Sequence, residues 1–202
     1  MEPKSTKEKI MESAIIQISE RGYDSVSMRD IAAEVGIKAS SIYNHFSSKL
    51  EILKSMYEFY ARERNFVFPN IKNVLSALET EPIDDVLAMM RYFWPPQLRD
   101  RMDRIVLIAS QRILLDKESE NFLRDNFFDA LTGIWTPLLN RGIELGKFKP
   151  VDVVSYAKML AYFAFGAAEL NRTAMKLSFE QWSVGLGMLF SLLKPVEEQK
   201  PK

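Results

Sequence analysis

The stretch GIKASSIYNHFSSK, Gly36 to Lys49, gathers most of the side chains in this sequence that could do chemistry at a surface. It holds small hydroxyls, an amide, a phenol, two lysines and the only histidine of the chain. Between Glu34 and Glu51 there is no acid, although acids are frequent on both sides. Serine and asparagine can hydrogen-bond base edges, and tyrosine, histidine and lysine can hold phosphate oxygens. The same residues also allow plainer readings: a solvated His45, a half-buried Tyr43, a polar helix face that binds nothing.

Catalysis fits the sequence poorly. With one histidine and no cysteine, most metal sites and all thiol chemistry are excluded. There is no Gly-rich phosphate loop, His-Glu helix motif or nucleophile elbow. The expectation is no enzyme, no cofactor and no metal. Net charge is zero over 202 residues, which argues weakly against a polyanion partner, so any basic face must be local. The N-terminus is charged and polar, with no apolar signal segment after it. No run of about 20 apolar residues occurs, so the chain is expected to be cytoplasmic, with no membrane partner.

The elements that must position this stretch are helical. Apolar periodicity, with glycines and prolines as punctuation, predicts an all-α protein. The first helix should span Thr6 to Arg21, with Ile10, Ala14 and Ile18 inward and Gly22 at its end. A second should run Met28–Val35, capped by Ser27, with Gly36 making a turn that needs positive φ. A third should cover Ala39–His45, with Ile42 and Phe46 inward, leaving Ala39, Ser40, Ser41, Tyr43, Asn44 and His45 outward. A fourth begins after Ser48 and runs to about Phe66. Capping boxes are expected at Ser5/Glu8, Ser48/Glu51 and Ser178/Gln181. Further helices follow near 70–78, 83–93, 97–115, 118–145, 153–176 and 179–193, with Gly133 and Pro137 kinking the long one. Helix, glycine turn and helix together make a helix-turn-helix.

At this point SMRDIAAEVGIKASSIYNHFSSKLEIL, Ser27 to Leu53, resembles the DNA-binding signature of the TetR family of bacterial transcriptional regulators. The matching positions are Ser27, Arg29, Asp30, Ile31, Ala32, Gly36, Ile37, Ile42, Tyr43, His45, Phe46, Lys49 and Leu53. Two positions depart from the pattern: Lys38 stands where a Ser or Thr cap is usual, and Ser40 where glycine is common. Lysine is a poor cap, at a cost of about 1 kcal/mol.

The resemblance implies an N-terminal three-helix bundle, residues 1–50, followed by a larger helical domain, 51–202, that dimerises and holds a small effector. Its implied partners are a double-stranded DNA operator, a small-molecule effector and a second copy of the chain. DNA contacts fall on Ser27, Arg29, Lys38, Ala39, Ser40, Ser41, Tyr43, Asn44, His45 and Lys49. Aromatic and methionine density places the effector among Met89, Met90, Tyr92, Phe93, Trp94, Phe127, Trp135, Tyr162 and Phe165. Small residues and broad apolar faces on the last two helices place the dimer interface at Ala161, Gly166, Ala168, Trp182, Leu186 and Leu189. The function expected is a repressor released from a pseudo-palindromic operator by an apolar or amphipathic effector. The alternative is a helical small-molecule-binding dimer that has lost DNA binding; a protein-interaction adaptor is a third.

Overall fold

The computed structural model describes residues 4–67, 71–83, 85–86, 96–170 and 179–193, excepting the side chains of 65–67, 96, 97, 167, 168, 170, 179, 180, 182, 183 and 186. Among them the protein is all-α, with no strand. The elements are α1 (Thr6–Arg21), α2 (Met28–Val35), a 3-10 helix (Ser41–Asn44), α3 (Lys49–Val67), α4 (Ile71–Thr80), α5 (Pro96–Arg112), α6 (Lys117–Leu123), a π turn (Arg124–Phe128), α7 (Asp129–Glu144), α8 (Val153–Leu170) and α9 (Phe179–Ser191).

The first two helices start where their caps dictate. Ser5 and Glu8 close a complete capping box on α1, and Ser27 and Asp30 close another on α2. At α3 the box is split. Ser48 Oγ accepts the Glu51 amide at 3.2 Å, but the Glu51 carboxylate accepts from the amide and hydroxyl of Ser47, both at 2.6 Å. The Ser178/Gln181 box expected from sequence has its serine outside the described residues, as does most of the 83–93 helix.

The long helix expected over 118–145 is α6, the π turn and α7 in succession. Its irregularity lies at Arg124–Phe128, and Pro137 sits inside α7 without ending it.

The chain divides into two compact units. One comprises Met1–Val67 with Trp94–Asn126, the other Phe68–Phe93 with Phe127–Lys202. In the first, α1 packs on α2, α3 and α5, and α5 on α3 and α6. Its core is the stripe Ile10, Ala14 and Ile18 with Ile31, Ile42, Phe46, Ile52, Leu53 and Met56, all buried. Helices α5 and α6 thus join the compact unit that carries the N-terminal bundle. In the second unit, α7 packs on α4 and α8. Trp135, Leu138, Leu139, Phe148 and Phe190 lie in its core. Gly142 is required there: a Cβ on it would fall 2.1 Å from the Phe148 ring.

Candidate nucleic-acid interface

Ile42 and Phe46 are fully buried and anchor the segment between α2 and α3 from beneath. Gly36 reverses the chain after α2 at φ +74°, its amide donating to the carbonyls of Ala32 and Ala33. The segment then forms a short 3-10 helix over Ser41–Asn44, rather than an α-helix over Ala39–His45. The reason lies in the cap. Lys38 offers no oxygen side chain, and Ser40, at the cap position, makes no side-chain bond. With first-turn amides uncapped, the tighter turn is what remains, tied by the Ser41 amide to Lys38 O at 2.8 Å and the His45 amide to Ile42 O at 3.0 Å.

Lys38, Ala39, Ser40, Tyr43 and Asn44 are exposed, and Ser41 and His45 half-buried. Tyr43 is 56% exposed, so it is not a core ring. Arg29 is exposed on α2. Ser27 is committed to its cap: its hydroxyl donates to Asp30 Oδ2 at 2.7 Å and accepts the Asp30 amide at 3.2 Å. The Ser27 hydroxyl and amide in turn hold the Asp30 carboxyl below the usual carboxylate range. Lys7 of α1 stands 5.0 Å from the Phe46 ring centroid, adding a cation that sequence reasoning missed because it lies outside the motif, 39 residues before Phe46.

Lys49 does something the sequence did not show. Its Nζ donates to the carbonyls of Tyr23 at 2.6 Å and Val26 at 2.8 Å, and lies 4.2 Å from the Tyr23 ring centroid. Burial lowers its pKa. Two of its three N–H donors therefore pin the start of α3 to the α1–α2 loop, and one is left for an outside anion. Arg112, at the end of α5, covers the same tyrosine at 3.9 Å. It also pairs with Asp116 at 2.7 Å, and Asp116 caps α6 through the Ser119 amide at 2.8 Å. Tyr57 of α3 and Ser119 share a buried hydrogen bond of 2.7 Å, and Tyr57 stacks on Phe122 at 4.2 Å. The recognition segment is thus braced by contacts running from α3 to α5 and α6.

In the second unit, three of the expected effector residues come together. Phe127 meets Phe165 edge-on at 5.5 Å, and Phe128 bridges to Phe165 at 5.2 Å and Tyr162 at 5.5 Å. Trp135 does not join them. It is fully buried against Phe190, centroids 5.6 Å apart, because it lies two turns further along the helix. Among the described residues its indole N–H meets no acceptor. Met89, Met90, Tyr92, Phe93 and Trp94 lie outside the described residues.

Of the expected interface, Ala161 is buried inside its own chain at 1% exposure and is not available to a second copy. Gly166 and Leu189 are half-buried. Ala168, Trp182 and Leu186 have side chains outside the description. Val184 and Met188 of α9, with Leu192 just past its end, form an outward apolar stripe at four-residue spacing, each more than half exposed.

Fold and site together define an all-helical protein with an N-terminal helix-turn-helix whose second arm, from residue 35 to residue 50, carries no acid. Residues 10–56 match the family model described as bacterial regulatory proteins, tetR family, a segment that holds the whole helix-turn-helix. Over 52 residues, 26% of each protein, the chain is 50% identical to the Biofilm operon icaADBC HTH-type negative transcriptional regulator IcaR of Staphylococcus aureus. It is 29% identical over 112 residues to the uncharacterized HTH-type transcriptional regulator YerO of Bacillus subtilis, covering 55% of this chain and 38% of that one. The matches therefore span well under half the length of these relatives. The solved structure of AibR in complex with isovaleryl coenzyme A and operator DNA has the same fold, with TM-score 0.68 at 20% identity over 92% of this chain and 98% of that one. Among the described residues no helix is long and apolar enough to cross a membrane.

Proposed function

We propose that this chain is a homodimeric DNA-binding transcriptional repressor, released from a pseudo-palindromic operator by a small apolar or amphipathic effector. The observation that carries it is the acid-free outer face of residues 35–48, anchored by the buried Ile42 and Phe46. In this reading Ser40, Ser41 and Asn44 meet base edges, with Ala39 allowing close approach. Lys38, Tyr43, His45 and Arg29 meet phosphates, and Ser27 places α2. Lys49 positions the segment first and offers its remaining N–H to a phosphate second. IcaR, half identical over this region, is by name a negative regulator, which supports repression over activation.

We place DNA contacts in residues 1–50 and effector binding and dimerisation in 51–202. The ring cluster of Phe127, Phe128, Tyr162 and Phe165 is an apolar lining for the effector. AibR, of the same fold, holds an acyl thioester and operator DNA. The stripe Val184, Met188 and Leu192, with Gly166, supplies the face for a second copy. Two such heads would then enter major grooves about one helical turn apart.

The test is selection of duplex DNA from a random pool, followed by binding at several salt concentrations. A recovered inverted repeat, with affinity falling steeply as salt rises, is the expected result. Failure to enrich any duplex would overturn the reading.

A further inference from the structure

Helix type decides which side chains share an edge. The backbone is helical through the 3-10 helix Ser41–Asn44 and at Ser40 and His45, which flank it. A 3-10 helix has three residues per turn, so side chains three apart eclipse and successive ones step by about 120°. In an α-helix the step is about 100°, and residues four apart come closest, about 40° from one another. The same six residues therefore sort differently in the two. In the 3-10 winding, Ile42 and His45 share one edge, Ser41 and Asn44 a second, and Ser40 and Tyr43 a third. Burial agrees: Ile42 is fully buried and His45 on its edge is half-buried, while Ser40, Tyr43 and Asn44 are exposed and only Ser41 is partly covered. The winding loosens past His45, where Ile42 O takes the Phe46 amide as well as the His45 amide, both at 3.0 Å.

The two outer edges carry different chemistry. Asn44 can bond adenine through N6 and N7 at once, and the Ser41 hydroxyl can donate or accept. These two short side chains stand about 6 Å apart along the axis, close to two base-pair steps of about 3.4 Å each. Ser40 shares its edge with Tyr43, whose ring reaches beyond its neighbours and holds that edge off a groove floor. Two edges a third of a turn apart do not both face the floor. When one meets base edges, the other meets the sugar–phosphate wall. Among the described residues no side-chain hydrogen bond or ion pair engages Ser40, Ser41, Tyr43 or Asn44, so neither edge has to be released first.

We infer that Ser41 and Asn44 are the base-reading pair of this protein, Asn44 on an adenine and Ser41 within about two base pairs of it, while Ser40 lies with Tyr43 against the phosphate wall. This rests on the DNA-binding reading above and narrows its base contacts from three residues to two. Ser40 then contributes to affinity and not to the choice of sequence. The distinction belongs to the 3-10 winding: in an α-helix Ser40, rather than Ser41, would stand nearer the face of Asn44.

The experiment is selection of duplex DNA from a random pool with full-length wild type, Ser40→Ala, Ser41→Ala and Asn44→Ala. In Asn44→Ala the preference for adenine at one position of each half-site falls at least about fivefold, the lower end for a bidentate pair. In Ser41→Ala preference relaxes at a position within about two base pairs of that one. Ser40→Ala recovers the wild-type motif with weaker binding. A motif changed by Ser40→Ala, or unchanged by Ser41→Ala or Asn44→Ala, overturns the pairing, while the wild-type motif still upholds DNA binding. If wild type enriches no duplex, DNA binding and the pairing fall together. A second measurement needs neither DNA nor a variant. Nuclear magnetic resonance of the free full-length protein should show Ser41 in contact with Asn44 and no α-type backbone contact from Ser40 to Asn44. That α-type contact at full strength overturns the pairing whatever the selections return.

Discussion

Replacing Lys49 with methionine keeps the aliphatic stem and removes the charge and all donors. In the folded protein that removes hydrogen bonds to the carbonyls of Tyr23 and Val26 and the ammonium above the Tyr23 ring. A hydrogen bond to a charged group is worth about 1.5–3 kcal/mol net, and a partly desolvated cation–π contact about 1 kcal/mol. The half-buried ammonium, however, gives back some solvation cost when removed. A loss of about 2–3 kcal/mol is the balance. For a chain of this size it corresponds to a fall in Tm of roughly 4–12 °C. Thermal denaturation of wild type and variant, followed by circular dichroism at neutral pH, measures it. DNA affinity should drop by a similar factor on every sequence, because the whole recognition segment loses its brace. A pure phosphate role predicts something else: an unchanged Tm, with the salt slope reduced by about 0.9 for each protomer's lost contact. An unchanged Tm would refute the pinning argument outright.

Gly142→Ala should destabilise by about 1–3 kcal/mol in a melt, since the new methyl meets a Phe148 ring that is itself buried against Phe190 and has nowhere to swing. Met188→Glu places a charge in the outward stripe of α9 and should yield monomers in sedimentation; a dimer unchanged at micromolar concentration would remove that face from the interface. Asp30 has its folded pKa depressed below the usual carboxylate range by its bonds to Ser27. Its contribution is therefore complete above the unfolded value and lost as pH falls through the folded one. Melts stepped from pH 7 down to 3 should show this acid loss, and Asp30→Asn should flatten it.

Helix boundaries set by local chemistry were legible. Ser5, Ser27, Gly22 and Gly36 bracket α1 and α2 where the sequence places them, because caps and positive φ act over a few residues. The recognition segment was legible in its exposed face and not in its helix type. The absence of an oxygen at residue 38 pointed to a missing cap, and the tightening into a 3-10 turn is its consequence. Side-chain partners across long separations were not legible. Nothing in the periodicity distinguishes a lysine aimed at solvent from one aimed at carbonyls 23 and 26 residues earlier. Trp135 and Phe127 read alike as apolar helix positions, yet one is sealed against Phe190 and the other meets Phe165. The last helix was legible as having a second apolar face of Val184, Met188 and Leu192, but not that this face points outward.

Tyr23 holds two cations over its ring, one from the start of α3 and one from the end of α5. A head cut at residue 50 and grafted onto a foreign body would keep the lysine and lose the arginine. Transplanting operator preference between such proteins therefore calls for carrying the donor's residues 112 and 116 along with the head, or finding a body that already supplies a guanidinium at that spot.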